Sequence, residues 1–132
     1  MFAFLIIGGF GLISMTISDT ETQDPWVAPE EYQKMENPYI DYEDEEKIGR
    51  LLFSKLCKSC HGSKGKGDGK NAALMGIKMV DFTDGTIKNQ SDGSIYYKIN
   101  KGRGFMPTFN KKISDDKEKW LVINYLRRSI IE

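Results

Sequence analysis

Apolar side chains recur at Ile48, Leu52 and Leu56, four residues apart, which predicts a helix with one buried face. Asp44 is placed to cap it, and Glu45 and Glu46 fall in a first turn where negative charge suits the helix dipole. Gly49 inside this helix costs about 1 kcal/mol relative to alanine, which implies a packing reason for its presence. A closing helix is predicted after Asp115, which forms a capping box with Glu118, and Arg127 and Arg128 fall in its last turn. Leu121 with Tyr125 and Val122 with Leu126 make two apolar rows on it, and the unbroken run Trp120 to Ile123 predicts burial on more than one side. Between these two, Ser91 or Asp92 caps a helix that carries Ile95, Tyr96 and Ile99 and ends at Gly102. No strand alternation and no internal repeat occurs, so the fold class is all-α.

Upstream of these helices the pattern changes twice. Residues 1–17 are almost wholly apolar and the chain then turns acidic, which reads as an export segment over 1–18. As a helix it spans roughly 25 Å against a hydrocarbon core of ~30 Å, so a cleaved signal peptide and a short uncleaved anchor both stay open. No cysteine lies near its end, which excludes lipid attachment there. Residues 19–43 are acidic and hold three of the four prolines, the composition of an extended tether. Trp26, Tyr32, Tyr39 and Tyr42 are more aromatic than a free linker needs, and part of it is expected to lie on the domain or on a partner. The folded domain is 44–132, small enough that it needs a staple to be stable.

Charge sharpens this division. Residues 1–46 carry eleven acidic and one basic side chain, residues 47–132 eighteen basic and eight acidic, within a chain of zero net charge. A basic domain of this kind is steered toward acidic partners. Its lysines are scattered through every element rather than gathered into a stripe, which argues against nucleic-acid binding.

The chemistry is concentrated in Cys57-Lys58-Ser59-Cys60-His61, the C-x-x-C-H spacing of covalent haem attachment. Two thiols on one helical turn can each close a thioether with a haem vinyl group while the next residue presents its imidazole to the iron. Other readings fit less well. A structural zinc site wants four ligands, and the chain offers two cysteines and a single histidine. A thioredoxin-like motif needs a βαβ context that the Lys- and Gly-rich surroundings do not supply, and a plain Cys57–Cys60 disulfide is the bland alternative. The glycine-rich run Gly62 to Lys70 fails as a phosphate loop, because Lys64 and Asn71 stand where glycine and Ser or Thr are required. With His61 the only histidine, the sixth position falls to a methionine, a rarer ligand or none. Met106 is the first candidate, set between glycines and Pro107 in a tight loop, with Met75 and Met79 behind it as gap-fillers or ligands.

From about Asp44 to Arg128 the chain resembles class I c-type cytochromes. The likeness rests on the C-x-x-C-H-Gly62 motif, Gly49 with Phe53, Gly65 to Gly69, Asp81-Phe82-Thr83, Gly102 to Pro107, and Trp120 with Tyr125, in the family's order. It implies helices wrapped around one covalent haem c on Cys57 and Cys60, with His61 and Met106 as iron ligands. It also implies that Gly49 lets the first and last helices cross closely, beside Phe53. A histidine–thioether pair leaves no open position and raises the potential, which suits an electron carrier rather than an enzyme. One departure is that the family's proline after the histidine, whose carbonyl accepts the Nδ1 proton, is missing between His61 and Met106, so either another carbonyl within Lys70–Met79 takes that role or the ligand is less firmly oriented.

The resulting expectation is an exported respiratory electron carrier in the periplasm or on the outer face of a bacterial cytoplasmic membrane, meeting acidic redox partners. The nearest rival is a tethered subunit of a membrane quinol-oxidising or terminal reductase complex, favoured by the aromatic tether. A haem sensor with open iron is the rival of another class, and four-helix cytochromes of that type carry C-x-x-C-H near the C-terminus, whereas here about seventy residues follow His61.

Overall fold

The computed structural model describes residues 25–131 and is helical, as the periodicity predicts. Six α-helices follow one another: α1 (Glu30–Gln33), α2 (Ile48–Leu52), α3 (Lys58–His61), α4 (Lys70–Leu74), α5 (Asp92–Lys101) and α6 (Asp116–Leu126). A π-helical turn, Phe53–Cys57, joins α2 to α3, and a second, Arg127–Ile131, prolongs α6. Among the described residues there is no strand, only an isolated antiparallel bridge between Arg103 and Met106. No helix among them is long and apolar enough to cross a membrane. The apolar segment 1–18 and residues 19–24 of the tether lie outside the described residues.

α6 is the spine of the core. Trp120, Leu121, Val122 and Ile123 are all buried, so the continuous apolar run does face more than one neighbour. α2 crosses α6 at Gly49, where a Cβ would lie 2.1 Å from the Leu121 carbonyl oxygen. The Phe53 ring sits 5.5 Å from that of Tyr125 beside this crossing, and only 2% of Phe53 is exposed. Gly49 is thus required by contact, and the aromatic pair seals the crossing.

The caps are partly as expected. Ser91 caps α5 by accepting from the Ser94 N–H at 3.2 Å, and Gly102 ends the helix at φ 65°. Asp115 caps α6 but accepts from Lys117 N–H at 2.9 Å, one residue short of the Glu118 contact that a capping box needs. At α2 the cap position belongs to Lys47 in a left-handed conformation, so Glu45 and Glu46 precede the helix instead of filling its first turn. Asp44 still serves the helix start, because its carboxylate reaches across the turn to accept from Ile48 N–H at 2.9 Å and Gly49 N–H at 2.8 Å.

The tether is not extended throughout. Residues 25–43 form α1 and lie along α5 and α6, with Tyr32 against Tyr97 and the Tyr32 carbonyl so close to Gly93 that a Cβ there would lie 2.1 Å away. Asn37, 8% exposed, donates to Asp92 at 2.9 Å and to Asn124 at 2.8 Å, and Asn124 donates to the Tyr39 carbonyl at 2.6 Å. Arg127 and Arg128 do more than oppose the helix dipole. Arg127 pairs with Asp92 at 2.8 Å and donates to the Lys88 and Gln90 carbonyls, while Arg128 donates to the Ile40 carbonyl at 2.5 Å. Asn124→Ala removes the partner of both the Asn37 amide and the Tyr39 carbonyl and is expected to cost about 1–3 kcal/mol in denaturant unfolding of the mature protein.

Candidate functional site

Cys57 closes the π-helical turn with φ −113° and ψ −39°, and Cys60 and His61 follow on α3, so the three expected attachment residues lie on one continuous helical rod. A π-helical turn within such a rod is a common accompaniment of a functional site, because it offsets the face presented by the next turn. Both cysteines are half-buried free thiols. Burial, with a smaller contribution from Cys60, pushes the Cys57 thiol up to about 12, so it stays protonated at neutral pH. Burial lowers the His61 imidazole to about 4, which keeps it neutral and its lone pair available to a metal.

The loop after α3 folds back beneath this turn. Gly67 N–H donates to the His61 carbonyl at 2.9 Å and Gly69 N–H to the Cys60 carbonyl at 3.2 Å, which brings α4 against α3. Further along, Phe82 N–H donates to the Gly65 carbonyl at 2.7 Å, and the Phe82 ring stacks on His61 with centroids 4.6 Å apart and planes at 29°. The expected Nδ1 partner is not found. His61 Nδ1 is buried without a hydrogen-bond partner, and no carbonyl of Lys70–Met79 accepts from it. The carbonyls of Asn71, Ala72 and Ala73 accept from the N–H groups of Met75, Ile77 and Gly76, and the His61 ring meets Phe82 by stacking where a carbonyl was expected.

Met106 sits on the loop that follows α5. Gly102 turns the chain at φ 65° with no room for a Cβ, which would lie 2.6 Å from the Met106 carbonyl oxygen. Arg103 and Met106 then exchange two backbone hydrogen bonds of 2.9 and 3.0 Å. The Met106 side chain is half-buried against the same core that Cys57 and Phe82 touch. Met75 is half exposed beyond the end of α4, and Met79 lies beside Gly67.

These residues fit a haem. Two thiols lie one helical turn apart, the imidazole that follows them is neutral with a buried Nδ1 that no protein group engages, and the Met106 side chain packs on the core that Cys57 also touches. A family model described as cytochrome c oxidase, cbb3-type, subunit III, matches residues 44–126. The chain belongs to this c-type cytochrome family. As a c-type cytochrome it carries covalently bound haem c in a small all-α domain, and Cys57 and Cys60 are its only cysteines.

Among solved structures the cytochrome is similar to a chain of the Kuenenia stuttgartiensis reducing HAO-like protein complex Kustc0457/Kustc0458, with 33% identity and a TM-score of 0.54. That alignment covers 67% of this chain and 45% of the other, so the cytochrome spans less than half the length of that relative. It is also similar to the KustC0563 c-type cytochrome, at 29% identity over 64% of this chain and 98% of that one, with a TM-score of 0.48. No curated protein matches it. Sequence reasoning missed the stacking of Phe82 on His61, since the two are brought together by loop backbone and not by any periodic spacing.

Proposed function

We propose that this cytochrome is a one-electron carrier in which Cys57 and Cys60 hold the haem, His61 and Met106 fill the two axial positions, and the domain works outside the cytoplasmic membrane in a respiratory chain. The observation that carries this reading is the Met106 loop, pinned by its paired hydrogen bonds to Arg103 and packed on the core shared by Cys57 and Phe82. Bound haem supplies a one-electron couple, and thioether ligation raises its potential. His61 meets it as neutral imidazole, and Phe82 resists rotation of that ring. Arg103 and Gly102 hold Met106 in place, so neither ligand has to move when the electron does.

The basic part of the chain, residues 47–132, suits an acidic redox partner. Electron exchange with such a partner is expected to slow by about tenfold or more between low and high ionic strength, measured by stopped-flow mixing. A partner reaction that ignored salt would remove electrostatic docking from the account. A second reading, a fixed subunit of a membrane complex, is favoured by two findings. The family description names an oxidase subunit, and one similar structure comes from a protein complex.

The test is the visible and near-infrared spectrum of the matured protein, oxidised and reduced, followed by carbon monoxide. A low-spin spectrum with the sulfur-to-iron band and no response to carbon monoxide supports His61/Met106 ligation. A high-spin spectrum, or ready carbon monoxide binding, sinks it.

A further inference from the structure

The loop that carries Met106 is held from outside by a residue of the N-terminal segment. The Trp26 ring takes two cations on its faces or edge, the Arg103 guanidinium carbon 5.0 Å and the Lys98 ammonium 5.5 Å from its centroid. Lys98 is on α5 and Arg103 is just past its end, so one indole bridges the helix and the distal loop. Two like charges drawn to the same ring repel one another, and the negative π face is what offsets that repulsion. Proximity of Arg103, added to burial, lowers the Lys98 ammonium below its usual value, in keeping with this crowding.

Trp26 is itself held firmly. Two residues on, Ala28 is 4% exposed and its carbonyl accepts from Gln33 Nε2 at 2.7 Å. α1 then docks on α5 through Tyr32, close against Gly93. On the other side, Arg103 is joined to Met106 by both backbone hydrogen bonds of their bridge, and the turn at Gly102 leaves no slack. A displacement of Arg103 therefore moves the Met106 backbone.

We propose that Trp26 is a positioning residue for the distal ligand, holding Met106 in place through Arg103 and making the N-terminal segment a working part of the haem site. The proposal rests on Met106 being that ligand.

The experiment uses the matured full-length cytochrome and reads the near-infrared sulfur-to-iron band together with carbon monoxide affinity in the reduced state. Trp26→Ala is expected to weaken the band and raise carbon monoxide affinity about tenfold, the size of two cation–π contacts. Trp26→Phe keeps a π face and is expected to restore most of the wild-type behaviour. Trp26→Leu preserves apolar bulk without that face and gives the alanine result, so it serves if the alanine variant does not accumulate. In the Trp26→Ala/Arg103→Ala double variant the effects should fail to add, because one linkage is broken twice. An unchanged band and carbon monoxide affinity in folded Trp26→Ala or Trp26→Leu overturns the proposal, as does simple additivity in the double variant. Met106→Ala separates the two readings: if it changes neither signal, the ligand assignment itself has failed, whatever Trp26 does.

Discussion

Met106→Ala is expected to leave the haem attached but open to external ligands. Cys57 and Cys60 are untouched by the change and belong to a different element, the rod that ends at His61. Alanine offers no donor, so the near-infrared sulfur-to-iron band should vanish. Carbon monoxide should then bind the reduced protein readily. The potential should fall by about 100 mV or more, since axial ligands set haem potentials across a range of about 0.8 V. Met75→Ala and Met79→Ala are the controls and should leave all three signals in place. Met75 is half exposed beyond α4, and Met79 packs beside Gly67, where it fills space. Retention of the band in Met106→Ala with its loss in either control would move the distal ligand to that residue.

Gly49→Ala is expected to be the most damaging conservative change away from the haem. The added Cβ would lie 2.1 Å from the Leu121 carbonyl oxygen and 2.6 Å from its carbon, with Tyr125 Cβ at 3.2 Å. Those first two atoms are backbone of α6, so no side-chain rotation relieves the clash, and α2 has to move off the helix that forms the core. Alanine normally stabilises a helix relative to glycine by about 1 kcal/mol, so propensity alone predicts the opposite sign. Overpacking costs reach about 3 kcal/mol where the backbone must shift, and this contact belongs at the upper end. In a domain of this size that loss lowers the melting temperature by roughly 10–20 °C, measured on the matured protein by circular dichroism. A variant as stable as wild type would show that the crossing is looser than these distances require. Phe53 and Tyr125 flank the crossing, and the separation should also loosen their ring contact, visible as a change in near-ultraviolet ellipticity.

The two variants probe different origins of the structure. Gly49 in a helix, Phe53 one turn later and the apolar rows of α6 were legible along the chain, because helical periodicity places residues three and four apart on one face. So were the ends of α5 at Ser91 and Gly102, because caps act on the residues next to them. The start of α2 was only partly legible. Asp44 does serve the first N–H groups, but from outside the helix, and the left-handed Lys47 that shifts the boundary has no local signal.

By itself the sequence determined the all-α class, the Cys57-x-x-Cys60-His61 turn that marks a haem c protein, and the residues most able to complete the site. Each of these depends on neighbours within a few positions, where spacing and chemistry are written directly in the chain. Only the tertiary structure decided that Phe82, not a carbonyl, meets His61, that Asn37 bonds to Asn124 across 87 residues, and that Trp26 reaches Arg103. Those contacts join segments far apart in sequence, and their partners are chosen by how the helices pack, so no local pattern records them.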